Sequence, residues 1–265
     1  MKELFNGKAL IVSTEDINFD EYPNLKIIGC PMTGIEHLPL EYFRNKNIKV
    51  ISLQGERAFL DDITSTAEHT MGLIISLLRN YKTAFQIPHQ NRNFYKGNTL
   101  SGKTLGIVGY GRIGVQLATI AEAFGMNVLW VDKNANGELF SGYGNGIQSL
   151  YDMLSQSDIV SLHIPLSGNE GFFTIPMFDK MKSTAYLINT SRSKIIQNGA
   201  LVFALKYAII KGAAIDFIDD EQLIEYAKEH NNLLLTNHTG GNTFEDRERT
   251  EDFIIQKVKE YLNES

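Results

Sequence analysis

The segment Gly109-Tyr110-Gly111-Arg112-Ile113-Gly114 has residue types and spacing suited to holding a phosphate. Three glycines at the GxGxxG interval serve three needs: Gly109 permits a tight turn, Gly111 admits a pyrophosphate close to the backbone, and Gly114 lets helix and strand pack together. A helix that starts here offers its free N–H groups to an anion, and Arg112 and Ile113 lie in the same turn. The apolar run Leu105-Gly106-Ile107-Val108 leads into the loop, and Val115-Gln116-Leu117-Ala118 continues it as helix. Asp132 ends the next apolar run, close to the interval of about 20 residues at which an acid meets the adenosine ribose. These features imply a bound dinucleotide, with Asp132 favouring NAD over NADP and Lys133 working against that preference. The alternative is a glycine-rich turn that binds nothing.

The elements that must position this loop follow an alternating strand and helix pattern, which implies a parallel sheet. Strands are expected at 9–12, 25–28 and 48–51, then at 104–108, 127–131, 159–164, 185–189, 213–216 and 233–236. Val128-Leu129-Trp130-Val131 is apolar throughout, as a strand covered on both faces requires. A long helix is expected after Thr64-Ser65-Thr66, with Met71, Ile74, Ile75, Leu77 and Leu78 at spacings of three and four. A polar connector follows over Gln90–Asn98. The tail from Phe244 reads as an amphipathic helix capped by Thr243 with Asp246 three residues on.

The bulk composition narrows the classes. A chain of 265 residues, 43% hydrophobic and 21% charged, has enough apolar mass for one large domain or two modest ones. A net charge of −6 argues against a nucleic-acid or anionic membrane partner. No apolar run approaches the roughly 20 residues that span a bilayer, and no signal peptide is visible, so a cytoplasmic address is expected. The single cysteine, Cys30, rules out an internal disulfide and a cysteine-rich metal cluster, and no metal is expected.

Three downstream segments resemble the D-isomer-specific 2-hydroxyacid dehydrogenase family. They are Tyr186-Leu187-Ile188-Asn189-Thr190-Ser191-Arg192, Gly212-Ala213-Ala214-Ile215-Asp216-Phe217 with Glu221 five residues after Asp216, and Leu234-Leu235-Thr236-Asn237-His238-Thr239-Gly240-Gly241. Upstream, Gly34-Ile35-Glu36-His37, Thr66-Ala67-Glu68-His69-Thr70 and Leu162-His163-Ile164-Pro165-Leu166 match as well. The resemblance implies that Arg192, Glu221 and His238 are catalytic. The chemistry agrees, because hydride transfer from a hydroxy acid needs a proton carrier, and a histidine suits it. Glu221 would steady the ring and favour its protonated form, and Arg192 would grip a carboxylate through a forked contact. The resemblance further places His163, Pro165 and Thr190 at the cofactor and Met32 and Thr33 at the substrate. Asp216 is either a partner for the nicotinamide carboxamide or a structural aspartate at a strand end.

The expected architecture is α/β: a Rossmann doubly wound parallel sheet over residues 65–242, plus a smaller discontinuous flavodoxin-like α/β lobe from residues 1–64 and 243–265. The expected activity is hydride exchange between NAD and a small 2-hydroxy or 2-keto acid. A catalytically idle NAD-sensing or interaction module on the same fold is the alternative. Several positions depart from the family pattern. By the resemblance, the first strand–helix unit of the substrate lobe is expected to be absent, Ser193 and Asn237 stand where glycine and proline are usual, and Met32 replaces a glycine. Arg57 is either a second anion contact or a solvated surface residue. A homodimer is expected, joined through the apolar helix near 70–78 and the connector at Phe94-Tyr95.

Overall fold

The computed structural model describes residues 1–86, 96–133, 139–142, 149–217 and 220–264. Backbone contacts divide the chain into two units, one of Met1–Ile63 with Asn242–Ser265 and one of Thr64–Gly241. Among the described residues no helix is long and apolar enough to cross a membrane.

The first unit opens with β1 (Lys2–Leu4), β2 (Ala9–Ile11), β3 (Ile27–Cys30), α1 (Leu40–Asn45), β4 (Lys49–Ser52) and α2 (Arg57–Leu60). Its sheet runs in the order β1-β2-β3-β4. The last three strands are parallel, whereas β1 is antiparallel to β2, with Glu3 opposite Leu10. That first strand escapes sequence reading, because three residues are too few to show a period and two of them are charged. Both faces of the sheet are covered. Leu10, Val12, Ile28 and Cys30 pack with Phe43 of α1 on one side. On the other, Ala9, Ile11 and Ile27 pack with Ile254 and Val258 of the C-terminal helix, Phe244–Glu264. The Thr243 hydroxyl caps that helix, accepting from the Asp246 amide at 3.2 Å.

The second unit is a seven-stranded sheet with helices on both faces. It starts with α3 (Ser65–Leu78) and α4 (Tyr81–Gln86), then β5 (Thr104–Val108), α5 (Arg112–Ala123), β6 (Asn127–Lys133) and β7 (Leu139–Gly142). Next come α6 (Leu150–Gln156), β8 (Ile159–Leu162), α7 (Ile175–Phe178), β9 (Tyr186–Asn189), α8 (Ala200–Lys206), β10 (Gly212–Ile215), α9 (Glu221–Glu229) and β11 (Leu233–Leu235). The C-terminal helix, α10 (Phe244–Glu264), returns the chain to the first unit. The strand order is β11-β10-β9-β8-β5-β6-β7. All pairs are parallel except β6 with β7, whose connection is too short for a crossover helix. The order reverses between β5 and β8, the point where doubly wound sheets open a crevice for a ligand.

Alternation along β5 sends Leu105 and Ile107 to a cluster with Met71, Ile74, Leu77 and Leu117, and Val108 to another with Val131, Leu162 and Phe173. The apolar side of α3, which the sequence offers as a subunit contact, is therefore spent inside this unit against α5 and the sheet. The other proposed contact, Phe94-Tyr95, lies outside the described residues.

Lys82 of α4 fastens the far end of α9. Its ammonium donates to the carbonyls of Ala227, His230 and Leu233 at 2.6, 3.0 and 3.2 Å, a cation placed where a helix C-terminus is negative. Replacing Lys82 with Met is expected to cost about 2 kcal/mol, because a charged donor to several carbonyls is lost. Urea unfolding followed by circular dichroism checks this; an unchanged midpoint would mean that the contact contributes nothing.

Candidate active site

The glycine loop joins β5 to α5 and sits at the reversal of strand order. Gly109 has φ +94°, and a Cβ there would lie 2.5 Å from the His163 carbonyl oxygen. Any other residue would clash with the turn leaving β8 and strain its own backbone. At Gly114 a Cβ would collide with the Gly109 carbonyl. Gly111 is the N-cap of α5 without a side-chain cap, so the first amides of the helix are left for an anion. Arg112 and Ile113 are the first two residues of that helix, and both are half-buried.

Asp132 lies at the end of β6, two residues after Trp130 and on the same face. Its carboxylate accepts from the Tyr110 amide at 2.9 Å and from the Lys133 amide at 2.7 Å. The Tyr110 ring stacks on Trp130, 4.2 Å between centroids and 5° from parallel, so the loop is latched to β6 twice. Lys133 points toward Asn169 and the Phe172 ring. His163 shares a 2.8 Å hydrogen bond with Ser161 through Nε2, while its buried Nδ1 has no partner among the described residues. Burial pushes this imidazole down to about 4, so it is neutral near pH 7. The residues present thus fit a dinucleotide: an uncapped helix start, an acid at ribose distance in the sequence pattern, and an orphaned ring nitrogen beside the glycine turn. Pro165 is exposed on the same turn, its carbonyl accepting from the Asn169 side chain.

The other candidates follow β9, β10 and β11, three neighbouring strands. Asn189 ends β9 fully buried; its amide donates to the Arg192 carbonyl at 2.8 Å, and its oxygen accepts from the Ser191 amide. The Asn189 contacts fix the turn that presents Arg192. Ser193 begins a short 3₁₀ turn with ordinary backbone angles, so the expected glycine is not needed for conformation there. Thr190 is buried, its hydroxyl bonded to that of Thr70 at 3.0 Å.

Asp216 follows β10 and is 1% exposed. One carboxylate oxygen accepts from the Thr236 hydroxyl at 2.6 Å, the Thr239 amide at 2.9 Å and the Thr239 hydroxyl at 3.3 Å. The other accepts from the Gly240 amide at 2.8 Å. His69 of α3 approaches at 3.3 Å. Burial alone would raise this carboxyl, but the hydrogen bonds from His69, Thr236 and the two amides outweigh it and hold it at about 2.

The same loop carries His238, whose amide donates to the Asp216 carbonyl at 2.5 Å and whose φ is +52°. A left-handed histidine is a strained placement that its surroundings must enforce. Asn237 before it is exposed. The ring of Phe217 touches both principal candidates. The Arg192 guanidinium carbon lies 5.0 Å from its centroid, and the His238 ring stands edge-to-face at 4.7 Å. Arg192 and His238 thus share one aromatic contact, whereas Glu221 stands exposed at the start of α9, with Asp220 capping that helix. In the first unit, Met32 is half-buried, its amide donating to the Cys30 thiol and its carbonyl accepting from Leu53; Thr33 beside it is exposed. Arg57 there pairs with Asp61 at 2.7 Å on the surface.

Sequence reading misses Phe217, Asn189 and Thr236 as site residues. Asn189 alone leaves a local signal, since an asparagine at a strand end followed by Ser191 is a turn former.

Residues 71–240 match the family described as D-isomer specific 2-hydroxyacid dehydrogenase, NAD binding domain. The chain belongs to that family. Its relatives include D-3-phosphoglycerate dehydrogenase of Haemophilus influenzae, 33% identical over 98% of this chain and 68% of that protein. Two solved structures share the fold at 24% identity. D-Lactate dehydrogenase of Escherichia coli has a TM-score of 0.81 and covers 97% of this chain and 84% of its own, and the enzyme of Aquifex aeolicus scores 0.72 over 97% and 83%. This 2-hydroxyacid dehydrogenase family member thus carries an NAD-binding domain in its second unit.

Because the Asp216 carboxyl is held at about 2 against an ordinary 3.8, its contribution is present above pH 4. It is lost as pH falls toward 2, an effect of about 2 kcal/mol. Urea unfolding at pH 7, 4 and 3 is expected to show this loss in the wild type and not in Asp216→Asn. Parallel pH profiles for the two proteins would contradict the assignment.

Proposed function

We propose that this family member exchanges a hydride between NAD and a small 2-hydroxy or 2-keto acid at a site built on Arg192, Glu221 and His238. The observation that carries the reading is the shared contact of Arg192 and His238 with Phe217, at 5.0 and 4.7 Å. A cation and a proton carrier then share one aromatic neighbour at the C-terminal edge of the sheet.

Arg192 presents a planar fork that can bind the carboxylate of the acid through two hydrogen bonds. His238 takes the hydroxyl proton on an imidazole nitrogen as the alcohol is oxidised, and returns it to the carbonyl oxygen in reduction. The bound nicotinamide supplies or accepts the hydride. Glu221, five residues beyond Asp216, is assigned the carboxylate that steadies His238. The amides at the start of α5 and the Asp132 carboxylate would hold the pyrophosphate and ribose of the dinucleotide, and Thr190, His163, Pro165 and Asp216 are assigned to its nicotinamide end. Met32 and Thr33 of the first unit are assigned to the substrate.

Reduction of a panel of 2-keto acids with NADH deuterated at the transferred position is expected to place deuterium on C2 of the product. His238→Ala is expected to lower kcat by about 10²–10⁴-fold. NADH affinity should stay within about twofold, read by quenching of Trp130, the chain's single tryptophan. No label transfer across the panel, or an unimpaired His238→Ala, would overturn the reading.

A further inference from the structure

In the second unit, β10 lies between β9 and β11. Arg192 sits on the turn after β9 and His238 on the turn after β11, strands that lie two spacings, about 9–10 Å, apart. No backbone hydrogen bond can join turns so far apart, and Arg192 is a long side chain with much rotamer freedom to lose. The guanidinium donates to the neighbouring Ser191 carbonyl at 3.0 Å, which ties it to its own turn and not to His238. Among the described residues Phe217, leaving the central strand, contacts both side chains.

Its backbone is rooted on both sides. The Asp216 amide donates to the Asn189 carbonyl of β9 at 3.0 Å, the Thr236 amide donates to the Ile215 carbonyl at 3.0 Å, and the His238 amide donates to the Asp216 carbonyl. From that base the ring meets the guanidinium at cation–π distance and the imidazole edge-to-face. A flat ring restrains both the tilt and the height of a planar guanidinium lying over it, which a branched aliphatic side chain of similar bulk does not.

We propose that Phe217 is a positioning residue, whose ring sets the relative placement of Arg192 and His238. The proposal rests on the dehydrogenase reading above, and it adds a residue argued to act through its contacts with Arg192 and His238. A displacement of about 1 Å between such groups can cost about 10²-fold in rate.

The test compares Phe217→Leu, which keeps the apolar bulk, with Phe217→Tyr, which keeps the ring. Phe217→Leu is expected to raise KM for the 2-keto acid and to lower kcat, with kcat/KM down about 10–100-fold. NADH affinity and Tm should stay near wild type, and Phe217→Tyr should remain within about threefold. A purely structural role would instead lower Tm and NADH affinity together and would not be rescued selectively by tyrosine. Phe217→Met replaces the leucine variant if that protein does not fold.

A second readout needs no turnover. The His238 ring-proton resonances, displaced by the Phe217 ring current in the wild type, should move in Phe217→Leu and stay nearly in place in Phe217→Tyr. If the wild type turns over and Phe217→Leu matches it in both kcat/KM and the His238 resonance, the positioning role is overturned. If the wild type transfers no label while the resonance still moves in Phe217→Leu, the dehydrogenase reading falls and the hold of Phe217 on His238 stands.

Discussion

The carboxylate of Asp216 is the interaction on which the downstream site depends. It is almost wholly removed from water, a placement that is costly for an ion unless each lone pair finds a donor. Donors come from the Thr236 and Thr239 hydroxyls, the Thr239 and Gly240 amides, and His69. Four of these five lie on the segment that carries His238. Satisfying the buried charge and folding that segment are therefore one event. The left-handed backbone of His238 is held by the same event, because its amide is drawn to the carbonyl of the same aspartate.

The sheet topology supplies the second constraint. Reversal of strand order between β5 and β8 brings the glycine turn against the His163 carbonyl, which is why Gly109 cannot carry a side chain. Neighbouring β9, β10 and β11 bring three turns to the same C-terminal edge. Asn189 fixes the first turn, Asp216 the third, and Phe217 stands between them. Polar cages hold the two outer turns, and an aromatic contact links them.

Much of this was legible in the sequence for a definite reason. The glycine loop is a local code in which spacing alone states the geometry, and the apolar runs of β5, β6 and β8 to β11 are those of strands covered on both faces. The family resemblance, carried by Asn189 to Arg192, Asp216 to Glu221 and Thr236 to Gly241, pointed to the right class. What sequence could not supply depends on tertiary neighbours. His69 and Thr236 are 167 residues apart, and nothing local in either marks the approach to Asp216. Phe217 reads as an ordinary apolar residue until the strand order is known. The edge strands β1 and β7 are short and antiparallel, and neither is among the strands expected from the alternating pattern. The apolar residues of α3 pack inside the second unit, and apolarity in a sequence records burial without saying by what.

Amide hydrogen exchange shows whether the Asp216 carboxylate builds the turn that presents His238. In the wild type the Thr239 and Gly240 amides should be protected as well as those of β11. In Asp216→Asn the Thr239, Gly240 and His238 amides should lose most of that protection while Leu233 to Leu235 keep theirs. Equal protection of Thr239 and Gly240 in both proteins would mean that the turn forms without the carboxylate.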